Sequence, residues 1–209
     1  MIKNKEVALK VAEYLLEIKA IKLNPKELFT WASGIQSPIY CDNRISLAYP
    51  EVRSFIKKSF SELALQNFPE ANLIAGVATA GIAHGALLAD NLNMPFCYVR
   101  AKAKEHGTKS MIEGRLQKGD KVVVVEDLFS TGGSALKAIQ SLQEEGAEVL
   151  GVLAIFNYGF AKVDKAFAEI SMPFYTLSNF ESLLSLLKDN PNFSKADLSY
   201  MEKWYKEME

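Results

Sequence analysis

The stretch Val122-Val-Val-Val-Glu-Asp-Leu-Phe-Ser-Thr-Gly-Gly-Ser134 decides the fold class. Four consecutive valines with no polar alternation predict a strand buried on both faces, the habit of a parallel sheet covered by helices. The run passes into two adjacent carboxylates, Glu126 and Asp127, and then into a hydroxyl- and glycine-rich turn, Ser130–Ser134, that opens a helix. Outward from this segment the rhythm repeats. Apolar runs at Leu73–Val77, Phe96–Val99, Val149–Ile155 and Phe174–Leu177 alternate with helical patterns at Ile82–Leu92, Ser134–Glu145, Gly159–Ile170 and Phe180–Lys188. Such alternation predicts an α/β fold with an open, doubly wound, mainly parallel sheet. Upstream, Val7, Ala8, Val11, Ala12, Leu15 and Leu16 stand at helical spacing behind Asn4 as N-cap, and Tyr49–Asn67 reads as a second helix with Pro50 in its first turn. The segment Glu27–Arg44 between them is irregular, rich in turn residues and aromatics.

Composition narrows the field. A length of 209 residues fits one elaborated domain, with an N-terminal helix and covering segment over 1–48 and an α/β core over 72–190. With 24 basic and 25 acidic side chains the chain lacks the basic excess of a general nucleic-acid binder. The apolar runs are too short to span a bilayer, and Met1–Glu6 is polar with no signal core behind it. Two distant cysteines, Cys41 and Cys97, suit a reducing compartment. The expectation is a cytoplasmic protein with neither a membrane nor a nucleic-acid partner.

In a parallel sheet the C-terminal strand ends share one edge, where ligands bind. Four features collect there: the Gly76–Gly81 loop, Arg100 with a basic loop, the turn Glu126–Ser134, and Asn157–Tyr158. Glycines and a helix N-terminus make the turn suited to a phosphate monoester, and the carboxylates before it suit hydroxyls of a sugar carrying that phosphate. The competing reading is that the Ser, Thr and Gly residues of Ser130–Ser134 simply cap the helix. Gly76 and Gly81 have Walker-loop spacing, but Ile82-Ala83 stand where Lys-Ser/Thr belongs. Two histidines, His84 and His106, cannot build a histidine-rich metal cage, and His84 reads as structural. About twenty residues without apolar period follow Val99, opening with Arg100-Ala-Lys-Ala-Lys-Glu-His-Gly-Thr-Lys109, which reads as a cationic lid over a polyanion. In Glu27–Arg44, Phe29, Trp31 and Tyr40 read equally as core.

The turn Glu126–Ser134 resembles the phosphoribosyl-pyrophosphate (PRPP) signature of the type I phosphoribosyltransferases. The lid with Arg100, Lys104, His106 and Gly107, and the segment Phe29-Thr-Trp-Ala-Ser-Gly34 with Ser37-Pro38, are similar to orotate phosphoribosyltransferases in particular. The resemblance runs to about residue 190. It implies a hood of mainly N-terminal residues over the core and a homodimer whose lids serve the partner's site. It also implies transfer of phosphoribosyl from PRPP to orotate, with Mg²⁺, in de novo pyrimidine (UMP) synthesis. PRPP would be bound by Arg100, Lys104 and His106 and by Glu126, Asp127, Leu128, Phe129, Ser130, Thr131, Gly132, Gly133 and Ser134. Lys104, His106 and Asp127 would be catalytic and Ser130 would contact orotate, with no protein residue as a dedicated metal ligand. Some branches carry a lysine at the position of Ala32, a Tyr-Lys pair at Thr79-Ala80, a lysine at Ala101 and an arginine at Tyr158. Those contacts do not carry over, which leaves the orotate carboxylate to Arg44 or to amides near Ser33–Gly34.

Overall fold

The computed structural model describes residues 1–31, 34–102, 110–188, 190–191 and 193–208. The buried valines lie in strand β8 (Lys121–Phe129), flanked by β5 (Leu73–Val77) and β9 (Glu148–Asn157). With β6 (Phe96–Val99), β7 (Ile112–Gly114) and β10 (Phe174–Asn179) they form a six-stranded sheet in the order β10-β9-β8-β5-β6-β7. Every pairing is parallel except that of the edge strand β7 with β6.

Strand alternation sends the valines into two separate cores. Val123 and Val125 join the face covered by α1 (Lys5–Glu17), α2 (Pro50–Asn67), α3 (Ala80–Leu92), α6 (Phe180–Leu187) and α7 (Lys195–Met208). Val122 and Val124 join the face covered by α4 (Gly133–Glu144) and α5 (Ala161–Glu169). All four are 0% exposed, as a doubly covered strand requires. Helix α4 buries Ala135, Ala138, Ile139 and Leu142, the i, i+3, i+4, i+7 stripe of a one-sided helix.

Two expectations need correction. The turn after the valines is shorter than the segment 126–134. β8 runs on through Phe129, because β9 extends beside it and pairs Glu126 with Ala154 and Phe129 with Asn157. The long basic connection holds a strand, β7, whose single apolar residue, Ile112, leaves no periodic signal. The hood is mainly N-terminal, as expected. Two small ribbons, β1 (Ile21–Leu23) with β4 (Ile39–Cys41) and β2 (Phe29–Thr30) with β3 (Gln36–Ser37), are joined by α7 from the other end of the chain.

Candidate active site

The strand order reverses between β5 and β8: the chain leaves β5 toward β6 and returns on the other side as β8. A crevice opens at the carboxyl ends of strands at such a point. Here it is a cleft of about 340 Å³ bordered by Arg44, Thr79, Glu126, Asp127, Leu128 and Ser134, among others. Next to it, the floor on which α3 packs is backbone. A Cβ at Gly81 would lie 2.3 Å from the Val125 carbonyl oxygen, and one at Gly76 would lie 2.8 Å from the Gly81 oxygen and Ile82 Cα. The Walker-like glycine spacing therefore lets α3 sit directly on the strand ends.

The carboxylate pair stands over this floor. Glu126 is 6% exposed and its Oε1 accepts the Asp127 backbone N–H at 3.0 Å. Burial, and then the neighbouring Asp127 charge, hold the Glu126 carboxyl well above the usual carboxylate range. Burial also raises Asp127, opposed by hydrogen bonding and by the Arg44 charge. The Asp127 carbonyl accepts a 2.7 Å hydrogen bond from Nδ2 of the fully buried Asn43, which ties the hood's 3₁₀ turn (Asn43–Ala48) to β8. Arg44 is held through Nε and Nη2 by both Asp42 oxygens, at 2.6 and 2.8 Å.

Beyond β8 the turn carries Gly132 in the left-handed region, φ +75°, as N-cap of α4, and no side chain caps that helix. Of the turn residues that could cap the helix, Gly132 does so, and Ser130, Thr131 and Ser134 do not. The first-turn amides of α4 remain for an anion. A smaller cavity of about 90 Å³ lies alongside, lined by Arg100, Ser134 and Lys137 with Ala78 and Met111.

The second large cavity is aromatic. Trp31, Ile35, Tyr40, Leu128, Ser130 and Tyr158 line about 330 Å³, with Cys41 and Thr131. The Trp31 and Tyr158 ring centroids are 4.6 Å apart, and Trp31 Nε1 donates to the Ile39 carbonyl at 3.0 Å. Cys41 and Leu128 border both this pocket and the carboxylate cleft, so the two adjoin. Chemically the pair suits a planar ring joined to a phosphorylated, hydroxyl-bearing group.

The structure thus brings Glu126, Asp127, Leu128 and Ser134 to the cleft, Ser130 and Thr131 to the aromatic pocket, and Gly132 and Gly133 to the start of α4. Phe129 brings no side chain to either; it is buried against Phe167 and Phe174, and only its carbonyl points toward this end, accepting Tyr158 N–H. Lys104 and His106 lie outside the described residues. Of the groups suggested for a carboxylate, the Gly34 amide is spent on the Trp31 carbonyl at 2.8 Å and Ser33 is outside the described residues. His84 is buried beneath Asn43, and burial lowers its pKa to about 4. Sequence reasoning missed Asn43, which carries no motif, and placed Tyr158 at the strand edge without assigning its ring a role. It also missed Lys137, whose place three residues past Ser134 on one helix face was legible.

A family model for the phosphoribosyl transferase domain matches residues 44–176, so the sheet, turn and cleft are those of a phosphoribosyltransferase. An orotate phosphoribosyltransferase of Bacillus subtilis (strain 168) is 52% identical over 194 residues, 93% of this chain and 90% of the relative. The crystal structure of orotate phosphoribosyltransferase from Aeropyrum pernix superposes with a TM-score of 0.77 at 30% identity, over 85% of this chain and 98% of that one. UMP synthase of Leishmania donovani shares the fold at TM-score 0.83 and 24% identity, over 97% of this chain, which spans 43% of that one. The chain belongs to the orotate phosphoribosyltransferase family, enzymes of de novo pyrimidine synthesis. Among the described residues no helix is long and apolar enough to cross a membrane.

Proposed function

We propose that the aromatic pocket holds orotate and the carboxylate cleft holds the ribose of PRPP, so that the reaction crosses the border at Cys41 and Leu128. A ring nitrogen of orotate then bonds to the anomeric carbon as that carbon's bond to pyrophosphate breaks, and the nitrogen's proton is released. The observation that carries this reading is the adjacency of a flat aromatic pocket and a carboxylate cleft at the strand reversal.

The amides at the start of α4, with Ser130–Ser134, hold the 5-phosphate. Glu126 and Asp127 accept hydrogen bonds from the ribose hydroxyls, and Asp127 faces the positive charge that builds on the ribose. Burial raises both carboxyls, so hydroxyl donors and cationic charge brought by the substrate favour the ionised form of the pair. Arg100 lies where it meets pyrophosphate, joined by Lys104 and His106 of the lid. By family resemblance each lid reaches the site of the other protomer in a homodimer.

The oxygen donors of Glu126 and Asp127 suit a hard divalent ion such as Mg²⁺. Among the described residues no three or more His, Cys, Asp or Glu are placed to hold a metal, and Glu126 and Asp127 would hold such an ion together with the substrate. When bound it neutralises charge on the departing pyrophosphate.

Orotate absorbance followed in the presence of protein, PRPP and Mg²⁺ tests the reading, with hypoxanthine and adenine assayed in parallel. Loss of the orotate signal matched by pyrophosphate release is expected. Turnover of a purine in its place, or PRPP binding with no turnover, would overturn it.

A further inference from the structure

The two walls of the aromatic pocket come from separate parts of the chain. Trp31 sits in the loop of the β2–β3 ribbon, whose strands are only two residues each and too short to fix their own position. Tyr158 follows the end of β9. Helix α7, outside the matched 44–176 segment, grips both. Trp204 Nε1 donates to the Gln36 carbonyl on β3 at 2.9 Å, and its ring stands edge-on to Trp31, with centroids 6.0 Å apart at 79°. The next residue, Tyr205, donates its hydroxyl to the Gly159 carbonyl at 2.8 Å, one residue beyond Tyr158. It also stacks on Phe160 and on Phe180. A Cβ at Gly159 would lie 2.7 Å from the Tyr205 oxygen, so the approach is as close as a glycine permits. Neighbouring residues on a helix point about 100° apart, which lets one turn hold two walls.

We propose that α7 is a brace that fixes the aromatic wall of the base pocket, with Trp204 and Tyr205 acting as positioning residues for the contacting rings of Trp31 and Tyr158. The proposal rests on the reading that this pocket takes orotate. Neither residue lines the pocket, so each acts on orotate affinity only through the walls it holds.

The test is steady-state kinetics on the full chain, varying orotate and PRPP separately, in Trp204→Phe, Trp204→Leu/Tyr205→Phe and Trp31→Leu. Trp204→Phe keeps the ring and loses the hydrogen bond to Gln36, and a rise in orotate KM of about threefold is expected, the scale of one such bond. The double variant is expected to raise it about tenfold or more, with PRPP KM changed less than about twofold. Trp31→Leu serves as the control on the pocket itself. If it raises orotate KM while both α7 variants leave it unchanged, the brace is overturned and the pocket reading survives. An unchanged orotate KM in Trp31→Leu sinks the pocket reading and the brace with it. A rise in both KM values together, or a Trp204→Phe enzyme as impaired as the double variant, marks a general folding defect and also overturns the brace.

Discussion

The base pocket and the carboxylate cleft adjoin but are built on opposite principles. The pocket is made of side chains: Trp31, Tyr40 and Tyr158 stand on segments with no common sheet, and ring packing and a few side-chain hydrogen bonds hold them together. The cleft leans on backbone: glycines seat α3 against the strand ends beside it, helix amides stand at one side, Glu126 accepts the Asp127 main-chain N–H, and Asn43 holds the Asp127 carbonyl. A side-chain pocket changes its ligand by substitution, whereas a backbone cleft keeps its ligand through most substitutions. The difference fits an enzyme family in which the sugar phosphate is constant and the base is the variable.

The comparison can be broken most decisively at the lid. Lys104→Ala is expected to lower kcat by about 10²-fold or more, the scale of one donor to developing charge. Unchanged turnover in steady-state kinetics removes that lysine from the chemistry. Next come two substitutions that should separate the regions. Asp127→Asn is expected to weaken PRPP about tenfold by calorimetric titration, the cost of a lost charged acceptor, with the thermal transition kept. Trp31→Leu should do the same to orotate alone. Equal effects on both ligands would mean that pocket and cleft are one site.

A smaller effect is expected from pH. The Glu126–Asp127 pair takes up protons at a higher pH than ordinary carboxylates, so as pH falls PRPP KM should begin to rise while still above the ordinary carboxylate range. Asp127→Asn should flatten the part of the rise that belongs to the pair, and orotate KM should follow pH less steeply. An identical profile in the variant refutes the assignment. The smallest effect concerns stability. Glu126 has its folded pKa raised above the unfolded value, so it destabilises the fold as pH rises above the ordinary carboxylate range. Glu126→Gln should therefore raise Tm by roughly a few degrees, more at pH 8 than at pH 5, in thermal melts without ligand.

The contrast also explains what could be read from the sequence. Val122–Val125, the helices and the glycine turn follow from local patterns, because a strand buried on both faces or a one-sided helix writes its environment into its own residues. The strands of the hood and β7 do not, since two or three residues cannot show a period. Helix α7 had a signal, with Met201 and Trp204 buried on one face, but lay beyond the family resemblance. For Trp31 the sequence gives only an aromatic residue; whether it fills a core or walls a pocket depends on Tyr158, more than a hundred residues away. The carboxylates announced themselves because two acids before a glycine turn have no local use.

The glycines at the base of α3 carry one more consequence, for how this sequence is free to drift. Gly76, Gly81 and Gly85 fill the space between helix and strands, and at each a methyl group would press within 3 Å of its neighbours. Thr79 and Ala80 face the open cleft. A saturation library across 76–85 should therefore return functional clones of many kinds at 79 and 80 and almost none at 76 and 81. The loop at 79 and 80 is thus free to change while the glycines on either side keep α3 seated on the strands.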